Sequence, residues 1–277
     1  MAVPSINEKE FRQLSAFIKY KYGIHLKEEK MALVYGRLAN LLVQRGIPSF
    51  EAYYQYVIND RTGMAAVELI EKISTNHTFF MREPEHFAFY RDRVLPWLER
   101  TVSNRDLRVW CAGCSTGQES YTLAMLMEDY FFNKPANWDK TLLATDISAK
   151  VLEEAVRGEY AEDQAAALPK SWRTQYFKRT GSGASSRLTV SDAIKTQVIY
   201  RKFNLMDARF PFRRKFHVIF CRNVMIYFDN PTKEQLVDKF WEMTEPGGYL
   251  FISQSESLNR EKTRYKYVMP GVYRKEG

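Results

Sequence analysis

The chain has 277 residues, of which 45% are hydrophobic and 14% aromatic, and this composition excludes a disordered protein. Its odd count of 3 cysteines argues against a disulfide-stapled secreted scaffold. No stretch has the apolar character of a signal peptide or a membrane helix, so we expect a cytoplasmic protein. The 41 basic and 33 acidic residues give a formal charge of +8, which leaves nucleic acid, anionic membrane and acidic protein open as partners.

Residues 1–80 predict a small helical domain, because apolar side chains recur there at helical spacing. Ser5 and Glu8 have the spacing of a capping box at the start of the first helix. Gly46 predicts the end of the second helix, and Ser49 predicts the start of the third. We interpret the apolar stripes of these helices as core positions.

The pattern changes at Leu107, from which short apolar runs alternate with amphipathic helical stretches. This alternation is typical of a doubly wound α/β sheet, and it predicts a Rossmann-like domain over residues 81–277. Pro246 and the two glycines after it predict the end of the last helix, and Pro270-Gly271 predicts a closing hairpin with an antiparallel edge. The runs that we expect to form buried strands are 107–113, 141–146, 216–221 and 249–253.

Residues from about 158–200 break this alternation. A turn rich in Gly and Ser at 181–186 lies there between two β-compatible segments, so we predict a small antiparallel β-subdomain inserted into the α/β domain. Residues 161–215 carry 12 basic and 4 acidic groups, which equals the whole excess charge of the chain. We assign most of that excess to the insert and interpret it as a docking face for a partner, with an ordinary solvated surface as the alternative.

A strand–turn–helix pattern over residues 109–119 is the strongest local signal. Gly113 and Gly117 allow a tight turn and a close approach to a ligand at the carboxyl end of the strand. Asp146 ends the next predicted strand, where a carboxylate is placed to accept hydrogen bonds from both hydroxyls of a ribose. The middle glycine of the dinucleotide motif is missing, so the pattern favours S-adenosylmethionine (SAM) over NAD, with a plain strand-to-helix turn as the alternative.

Further polar residues follow other predicted elements. Arg82 lies in a polar and aromatic connector and can pair with a carboxylate of a ligand if that connector folds over the site. Arg222 and Asn223 follow a predicted central strand, and Asn204 ends the strand before it. Each of these three either faces the site or serves as a surface ion pair or turn residue. Cys111-x-x-Cys114 lacks the second ligand pair of a zinc site, and we expect it to pack.

Together these residues resemble the CheR-type protein-glutamate O-methyltransferases of bacterial chemotaxis. Four motifs in order carry the resemblance, and the last is close to word for word the motif of the family. The resemblance extends from the helical N-terminal part to the end of the chain, and the insert falls where the family has its β-subdomain. The matching segments are Ser74–Glu83, Val109–Glu119, Ala144–Ile147 and Ile219–Phe228.

The family transfers a methyl group from SAM to glutamates on the cytoplasmic helices of chemoreceptors and releases S-adenosylhomocysteine, so the resemblance implies this reaction here. Many relatives have Glu-Glu-Pro where this chain has Gln118, Glu119 and Ser120, and the cofactor glutamate aligns best with Glu119. By position, the resemblance implies cofactor contacts from Asn76, Thr78, Arg82, Glu119, Asp146, Asn204, Leu205, Arg222 and Asn223.

The reaction that the resemblance implies sets modest chemical demands on the protein. A glutamate side chain has a pKa of about 4.3 in model peptides and is ionised at neutral pH, so we expect no general base. Transfer then depends on positioning and on the exclusion of water. We expect Tyr227 to orient the substrate carboxylate, with Arg82 and Arg222 as secondary candidates, and we expect no metal.

The resemblance implies methyl-accepting chemoreceptors as partners, through their methylated helices and, in some relatives, through a C-terminal peptide that docks on the β-subdomain. We expect a monomer, with no nucleic acid and no membrane insertion. One alternative is an RNA methyltransferase whose basic insert binds phosphates, although the insert lacks an obvious row of aromatic residues for base stacking. The other is an adaptor that binds the cofactor without turnover, against which the intact Asp146, Arg222 and Asn223 argue.

Overall fold

A computed structural model describes residues 4–74, 77–135, 137–181 and 186–276. The chain divides into two compact units: Met1–His77 with Tyr227–Thr232, and Thr78–Ile226 with Lys233–Gly277. The domain limits that the sequence predicts stay a prediction. Within the described residues, no helix combines the length and the apolar character that crossing a membrane requires.

Amphipathic helices build the first unit, as the apolar spacing predicts. Their buried residues recur three and four positions apart, so each helix turns one face inward. Gly46 has a φ of 67° just after the second helix, and the Ser49 hydroxyl accepts the backbone N–H of Ala52 at 3.1 Å, which confirms both predicted boundaries. The helices are α1, Glu8–Tyr22; α2, Met31–Gln44; α3, Phe50–Asn59; and α4, Met64–Ile73.

The capping box of α1 lies two residues later than predicted. Asn7 is the N-cap: its side chain accepts the backbone N–H of Glu10 at 3.0 Å, and the Glu10 carboxylate accepts the N–H of Asn7 at 2.9 Å. The second oxygen of Glu10 accepts the N–H of Glu51 at 3.0 Å at the start of α3. The prediction of Ser5 and Glu8 is therefore wrong, because α1 begins at Glu8 and its N-cap is Asn7.

The remaining chain alternates between helices and strands, as predicted. The helices are α5, Pro84–Phe89; α6, Leu95–Thr101; α7, Gln118–Phe131; α8, Ala149–Arg157; α9, Lys170–Gln175; α10, Asp192–Lys195; and α11, Asn230–Met243. The strands are β1, Val109–Ala112; β2, Leu142–Asp146; β3, Glu159–Ala161; β4, Phe177–Thr180; β5, Arg187–Val190; β6, Val198–Lys202; β7, Phe216–Phe220; β8, Thr244–Phe251; β9, Lys266–Met269; and β10, Val272–Arg274.

The main sheet has the strand order β6-β2-β1-β7-β8-β10-β9. The five strands from β6 to β8 are parallel, whereas β10 and β9 pair antiparallel around Pro270-Gly271, so the predicted Rossmann-like sheet and its antiparallel edge are confirmed. The strand order reverses between β1 and β7. In open α/β sheets this switch point is where ligands bind, outside the carboxyl ends of the strands.

Trp110 on β1 forms the centre of an aromatic cluster beside the sheet. The indole is fully buried, and its N–H donates to the Thr145 hydroxyl on β2 at 2.9 Å. Each edge-to-face ring pair adds about 0.5–1.5 kcal/mol beyond the buried area, so the cluster holds the segment between β6 and β7 against the sheet. The surrounding rings belong to Phe203, Phe210, Phe212, Phe216 and Phe240.

The last helix ends before Pro246, as the sequence predicts, but the strand that follows begins earlier than the predicted 249–253. Helix α11 ends at Met243, and Pro246 lies inside β8 at an irregularity in its pairing with β7. Gly248 explains this arrangement, because a Cβ there would lie 2.6 Å from the backbone oxygen of His217 on β7. The glycine thus allows a close approach of two strands, and proline is tolerated at such a bulge.

The small antiparallel sheet has the order β3-β5-β4 and confirms the predicted β-subdomain. Its segment, residues 159–195, carries six basic and four acidic groups, whereas residues 198–215 carry six basic groups and one acidic group. The prediction that the insert holds most of the excess charge is therefore wrong. The larger surplus lies on β6 and on the segment that leads from it to β7.

Candidate functional site

The loop between β1 and α7 forms the base of the candidate site, and the structure shows why two of its positions are glycine. Gly113 and Gly117 have φ values of 89° and 97°, a conformation that residues with a Cβ rarely adopt. A Cβ at Gly113 would lie 2.4 Å from Cγ2 of Val224, and one at Gly117 would lie 3.0 Å from the hydroxyls of Tyr160 and Tyr200. The glycines thus let the loop pack against the protein itself.

Asp146 ends β2, and its carboxylate is fixed by backbone groups on both sides. One oxygen accepts the N–H of Ser115 at 2.9 Å, and the other accepts the N–H of Ser148 at 3.1 Å. These two backbone donors hold the carboxylate at the carboxyl end of β2, the edge of the sheet where ligands bind in this class of fold. The backbone oxygen of Asp146 also accepts the N–H of Phe203, which brings the segment with Asn204 beside this carboxylate.

Arg222 and Glu119 meet at the switch point, one following β7 and the other in the first turn of α7. The Arg222 side chain is 1% exposed, and its Nη1 lies 2.9 Å from Oε2 of Glu119. Nη2 lies 3.2 Å from Oε2 of Glu83 and donates to the backbone oxygen of Arg82. The guanidinium also stacks 5.0 Å above the ring of Phe87. A surface ion pair, the alternative for Arg222, is thereby excluded.

The two carboxylates that share Arg222 differ in their pKa. Burial raises the pKa of Glu119 by more than the guanidinium of Arg222 lowers it, so the net shift is upward. Burial also raises the pKa of Glu83, but Arg222 and the donors of Gln254 and Ser253 outweigh that effect, so the net shift is downward. Glu83 is thus the better stabilised anion, and Glu119 is the one that a further cation would stabilise most.

Two residues missed by the sequence reasoning complete this cluster: Glu83 and Ser253. The amide of Asn223 donates to the Ser253 hydroxyl at 2.9 Å, and that hydroxyl donates to Glu83 at 2.9 Å. Asn223 has a φ of 59°, which identifies it as a residue in a left-handed turn. Glu83 stands inside the matched motif beside Arg82, but nothing local in the sequence indicates a contact with residues 140 and 170 positions away.

The other predicted site residues have varied positions. Asn204 accepts the N–H of Met206 at 3.0 Å and so begins a turn, and Leu205 and Thr78 are half-buried. The guanidinium of Arg82 lies 5.8 Å from the ring of Phe79. Asn76 lies outside the described residues. Tyr227 belongs to the helical unit, where its backbone oxygen accepts the N–H of His25 at 2.8 Å.

All three cysteines are free and buried, in keeping with the packing role that we expected for the Cys-x-x-Cys pair. The thiol of Cys111 donates to Oε1 of Glu119 at 3.2 Å, so it forms part of the wall behind the cluster. Burial raises the pKa of Cys111, Cys114 and Cys221 well above the ordinary thiol value. Each is therefore protonated at neutral pH, and a thiolate nucleophile is excluded.

The charges at the switch point fit a cationic nucleoside. Three carboxylates, those of Glu83, Glu119 and Asp146, lie at this edge of the sheet with two guanidinium groups, those of Arg82 and Arg222. By formal charge the acidic groups outnumber the basic ones, which favours a ligand with a net positive charge. SAM has an ammonium, a sulfonium and a carboxylate, and its ribose offers two hydroxyls, for which a carboxylate such as that of Asp146 is a suitable acceptor.

Glu256, behind this cluster, predicts a pH dependence of stability. Its side chain is buried, Oε2 accepts the N–H of Ser253 at 3.1 Å, and Oε1 has no hydrogen-bond partner within the described part of the chain. Burial, and to a lesser extent the charge of Glu83, raises the pKa of Glu256 to about 7. A carboxyl with a raised pKa binds its proton more tightly when folded, so its stabilisation is lost as pH rises from about 4.5 to about 7.

We therefore expect Glu256→Gln to abolish part of this pH dependence. Relative to the variant, the wild type should lose about 2–3 kcal/mol of unfolding free energy between about pH 5 and about pH 8, because it must ionise a buried group. Urea denaturation at both pH values measures this difference. Glu261→Gln, at an exposed position, is the matched control and should leave the pH profile unchanged. Parallel profiles for Glu256→Gln and the wild type would contradict the assignment.

Comparison with known proteins agrees with the cofactor that the site geometry indicates. The profile of the CheR methyltransferase SAM binding domain matches residues 76–273, and that of the CheR methyltransferase all-alpha domain matches residues 9–74. The chain is 39% identical to a chemotaxis protein methyltransferase of Borreliella burgdorferi over 98% of this chain and 95% of that protein.

The similarity to two further relatives also covers nearly the whole of each chain. A probable chemotaxis protein methyltransferase of Rhizobium etli is 37% identical over 91% of this chain and 97% of its own length. Chemotaxis protein methyltransferase 1 of Pseudomonas aeruginosa is 33% identical over 95% of this chain and 96% of its own length. The similarity therefore covers both compact units described above.

Proposed function

The chain belongs to the CheR methyltransferase family, and on that premise we propose that it transfers the methyl group of SAM to glutamate side chains of chemoreceptors. Its place in that family makes it a SAM-dependent methyltransferase of chemotaxis. The finer proposal is that the acceptor is a glutamate carboxylate and the product is its methyl ester. The observation that supports this proposal is the match to both CheR domains and to chemotaxis methyltransferases along nearly the whole chain, and the charged cluster at the switch point supports the cofactor.

We assign the cofactor contacts on the basis of this cluster. Asp146 would accept the ribose hydroxyls, because two backbone N–H groups already hold its oxygens in place. Glu119 would face the ammonium group, since burial raises its pKa and a nearby cation would stabilise its ionised form. Arg82 or Arg222 would pair with the carboxylate of the methionine moiety. The full proposed set is Asn76, Thr78, Arg82, Glu119, Asp146, Asn204, Leu205, Arg222 and Asn223.

The chemistry of the proposed acceptor limits what the protein must supply. When bound, SAM provides a methyl group already activated by its sulfonium charge. A substrate glutamate is ionised at neutral pH and attacks as a carboxylate, so no residue has to remove a proton. The site residues then act by holding the carboxylate in line and by excluding water from the reacting atoms. We propose Tyr227 and Arg82 as the residues that position the substrate carboxylate.

The proposed substrate is a methyl-accepting chemoreceptor, because the relatives are chemotaxis methyltransferases. We further propose that the small sheet of β3, β4 and β5 serves as a docking surface for a receptor segment. Its surplus of two basic groups supports this proposal less strongly than the sequence total suggested. Arg187 of β5 remains exposed and available to an acidic peptide, whereas Arg179 of β4 already pairs with Glu162.

Transfer of labelled methyl from SAM tests the proposed function. The protein is incubated with the cytoplasmic part of a chemoreceptor from the same organism, and separately with total RNA. We expect label on the receptor that mild base releases as methanol, because a methyl ester hydrolyses whereas a methylated amine or base does not. Stable label on RNA would contradict the proposal and favour an RNA methyltransferase. Binding of SAM without label on any receptor would favour an adaptor without turnover.

A further inference from the structure

The carboxylate of Glu83 connects three segments that are distant in sequence. Its Oε1 accepts the hydroxyl of Ser253 at 2.9 Å and lies 3.4 Å from the amide nitrogen of Asn223. Its Oε2 accepts the N–H of Gln254 at 3.1 Å and lies 3.2 Å from Nη2 of Arg222. A carboxylate has about four acceptor positions, so this one is fully used by donors from the ends of β7 and β8.

The backbone around Glu83 is held in an unusual conformation. Glu83 has a φ of 55° immediately before Pro84, which begins α5, and non-glycine residues adopt this region only at a cost in free energy. Such a conformation persists where the surrounding contacts determine it. Here it directs the backbone oxygen of Arg82 at the guanidinium of Arg222, so one turn supplies two acceptors to the same arginine.

Arg222 depends on these acceptors for its orientation. Its Nε is buried and has no hydrogen-bond partner within the described ranges, so the two Nη groups hold the guanidinium in place. Nη1 contacts Glu119, and Nη2 contacts Glu83 and the backbone of Arg82. Without the anion of Glu83, Glu119 would be the only carboxylate of this cluster that balances the positive charge of Arg222.

His86, the other cationic candidate near Glu83, does not replace Arg222. Its Nε2 lies 2.8 Å from the backbone oxygen of Pro270 and donates to it, which leaves Nδ1, 3.3 Å from Glu83, without a proton in the neutral ring. Burial lowers the pKa of His86, so the neutral ring is the stable form at neutral pH. Arg222 is therefore the charge that balances Glu83.

We propose that Glu83 is a positioning residue of the methyl-transfer site, which holds Arg222 in place and balances part of its positive charge, so that the ammonium group of SAM can bind beside Glu119. This inference rests on the cofactor contacts proposed above. It assigns Glu83 no contact with the cofactor or the substrate. Its effect reaches the site through Arg222 and through the turn that presents Arg82.

Glu83→Gln tests this proposal, because it keeps the size of the side chain and removes its charge. We expect calorimetry without receptor to show about a tenfold to a hundredfold weaker affinity for SAM, the range for the loss of a hydrogen bond to a charged group. In turnover with a receptor, the KM for SAM should rise while kcat at saturating SAM is largely retained. Glu85→Gln is the matched control, since Glu85 is exposed and contacts only the side chain of Gln254 in this network.

A folded Glu83→Gln variant with unchanged affinity for SAM would overturn the proposal, as would a loss of kcat with unchanged KM. Ser253→Ala removes one donor to Glu83, and we expect a severalfold weaker affinity from it. If Glu83→Gln fails to fold, an unchanged affinity of Ser253→Ala overturns the proposal. Because SAM binding is measured without a receptor, a failure to methylate glutamate would refute the proposed function and leave this test intact.

Discussion

Replacing Asp146 by alanine should weaken the binding of SAM by about a hundredfold or more. The proposed contact lets one carboxylate accept both ribose hydroxyls, and each hydrogen bond to a charged group contributes about 1.5–3 kcal/mol. The carboxylate is already fixed by the N–H groups of Ser115 and Ser148, so little ordering is required when the ligand binds. Calorimetric titration of the free protein with SAM measures the effect.

Two further variants separate binding from folding. Asp146→Asn keeps the shape of the side chain and one acceptor oxygen, so its affinity for SAM should lie between those of the wild type and the alanine variant. Asp139→Asn, just before the other end of β2, alters an exposed carboxylate that caps Thr141 and should leave the affinity unchanged. Near-normal affinity of a folded Asp146→Ala protein would contradict the assignment of this residue to the ribose.

Replacing Arg222 by methionine should produce the largest loss of stability among the site variants. The guanidinium is 1% exposed and balances Glu119 and Glu83, so its removal leaves two largely buried carboxylates without their cation. Breaking a buried pair in this way costs about 3–5 kcal/mol of unfolding free energy. Urea denaturation near neutral pH measures this loss.

The double variant Arg222→Met with Glu119→Gln is the informative companion, because it removes one of the two uncompensated charges. We expect it to be more stable than Arg222→Met alone. Arg91→Met, which breaks the exposed pair of Arg91 with Asp92, should cost less than about 1 kcal/mol. An Arg222→Met protein as stable as the Arg91 control would show that the pair does not hold the switch point together.

The sequence predicted much of this site because of how parallel sheets are built. Asp146 ends one buried strand and Arg222 follows another. Because the carboxyl ends of parallel strands meet at one edge of the sheet, their shared location could be inferred from the sequence. The glycines of the β1–α7 loop were equally visible. The reason that glycine is required at these two positions could not be predicted. The atoms that exclude a Cβ belong to Val224, Tyr160 and Tyr200, which are distant in sequence.

Contacts between distant segments account for what the sequence reasoning missed. Glu83 lies beside Arg82 in a recognised motif, yet its role depends on a left-handed φ and on donors from the ends of β7 and β8. The capping box of α1 lies at Asn7 and Glu10, and Glu10 also accepts the N–H of Glu51 at the start of α3, a contact that the local sequence does not indicate. Strand β8 begins at Thr244 and not near residue 249, since the close approach of β8 to β7 at Gly248 determines the backbone there.

The position of the transferred methyl group tests the central claim most directly. A chemoreceptor fragment is treated with the protein and SAM and is then digested and mapped by mass spectrometry, with Asp146→Ala as the inactive reference. We expect one added methyl group on glutamate side chains of the receptor's cytoplasmic helices, lost after mild base and absent with the variant. Methylation of another residue type, or a receptor that stays unmodified while another substrate is labelled, would contradict the assignment of a glutamate methyl ester.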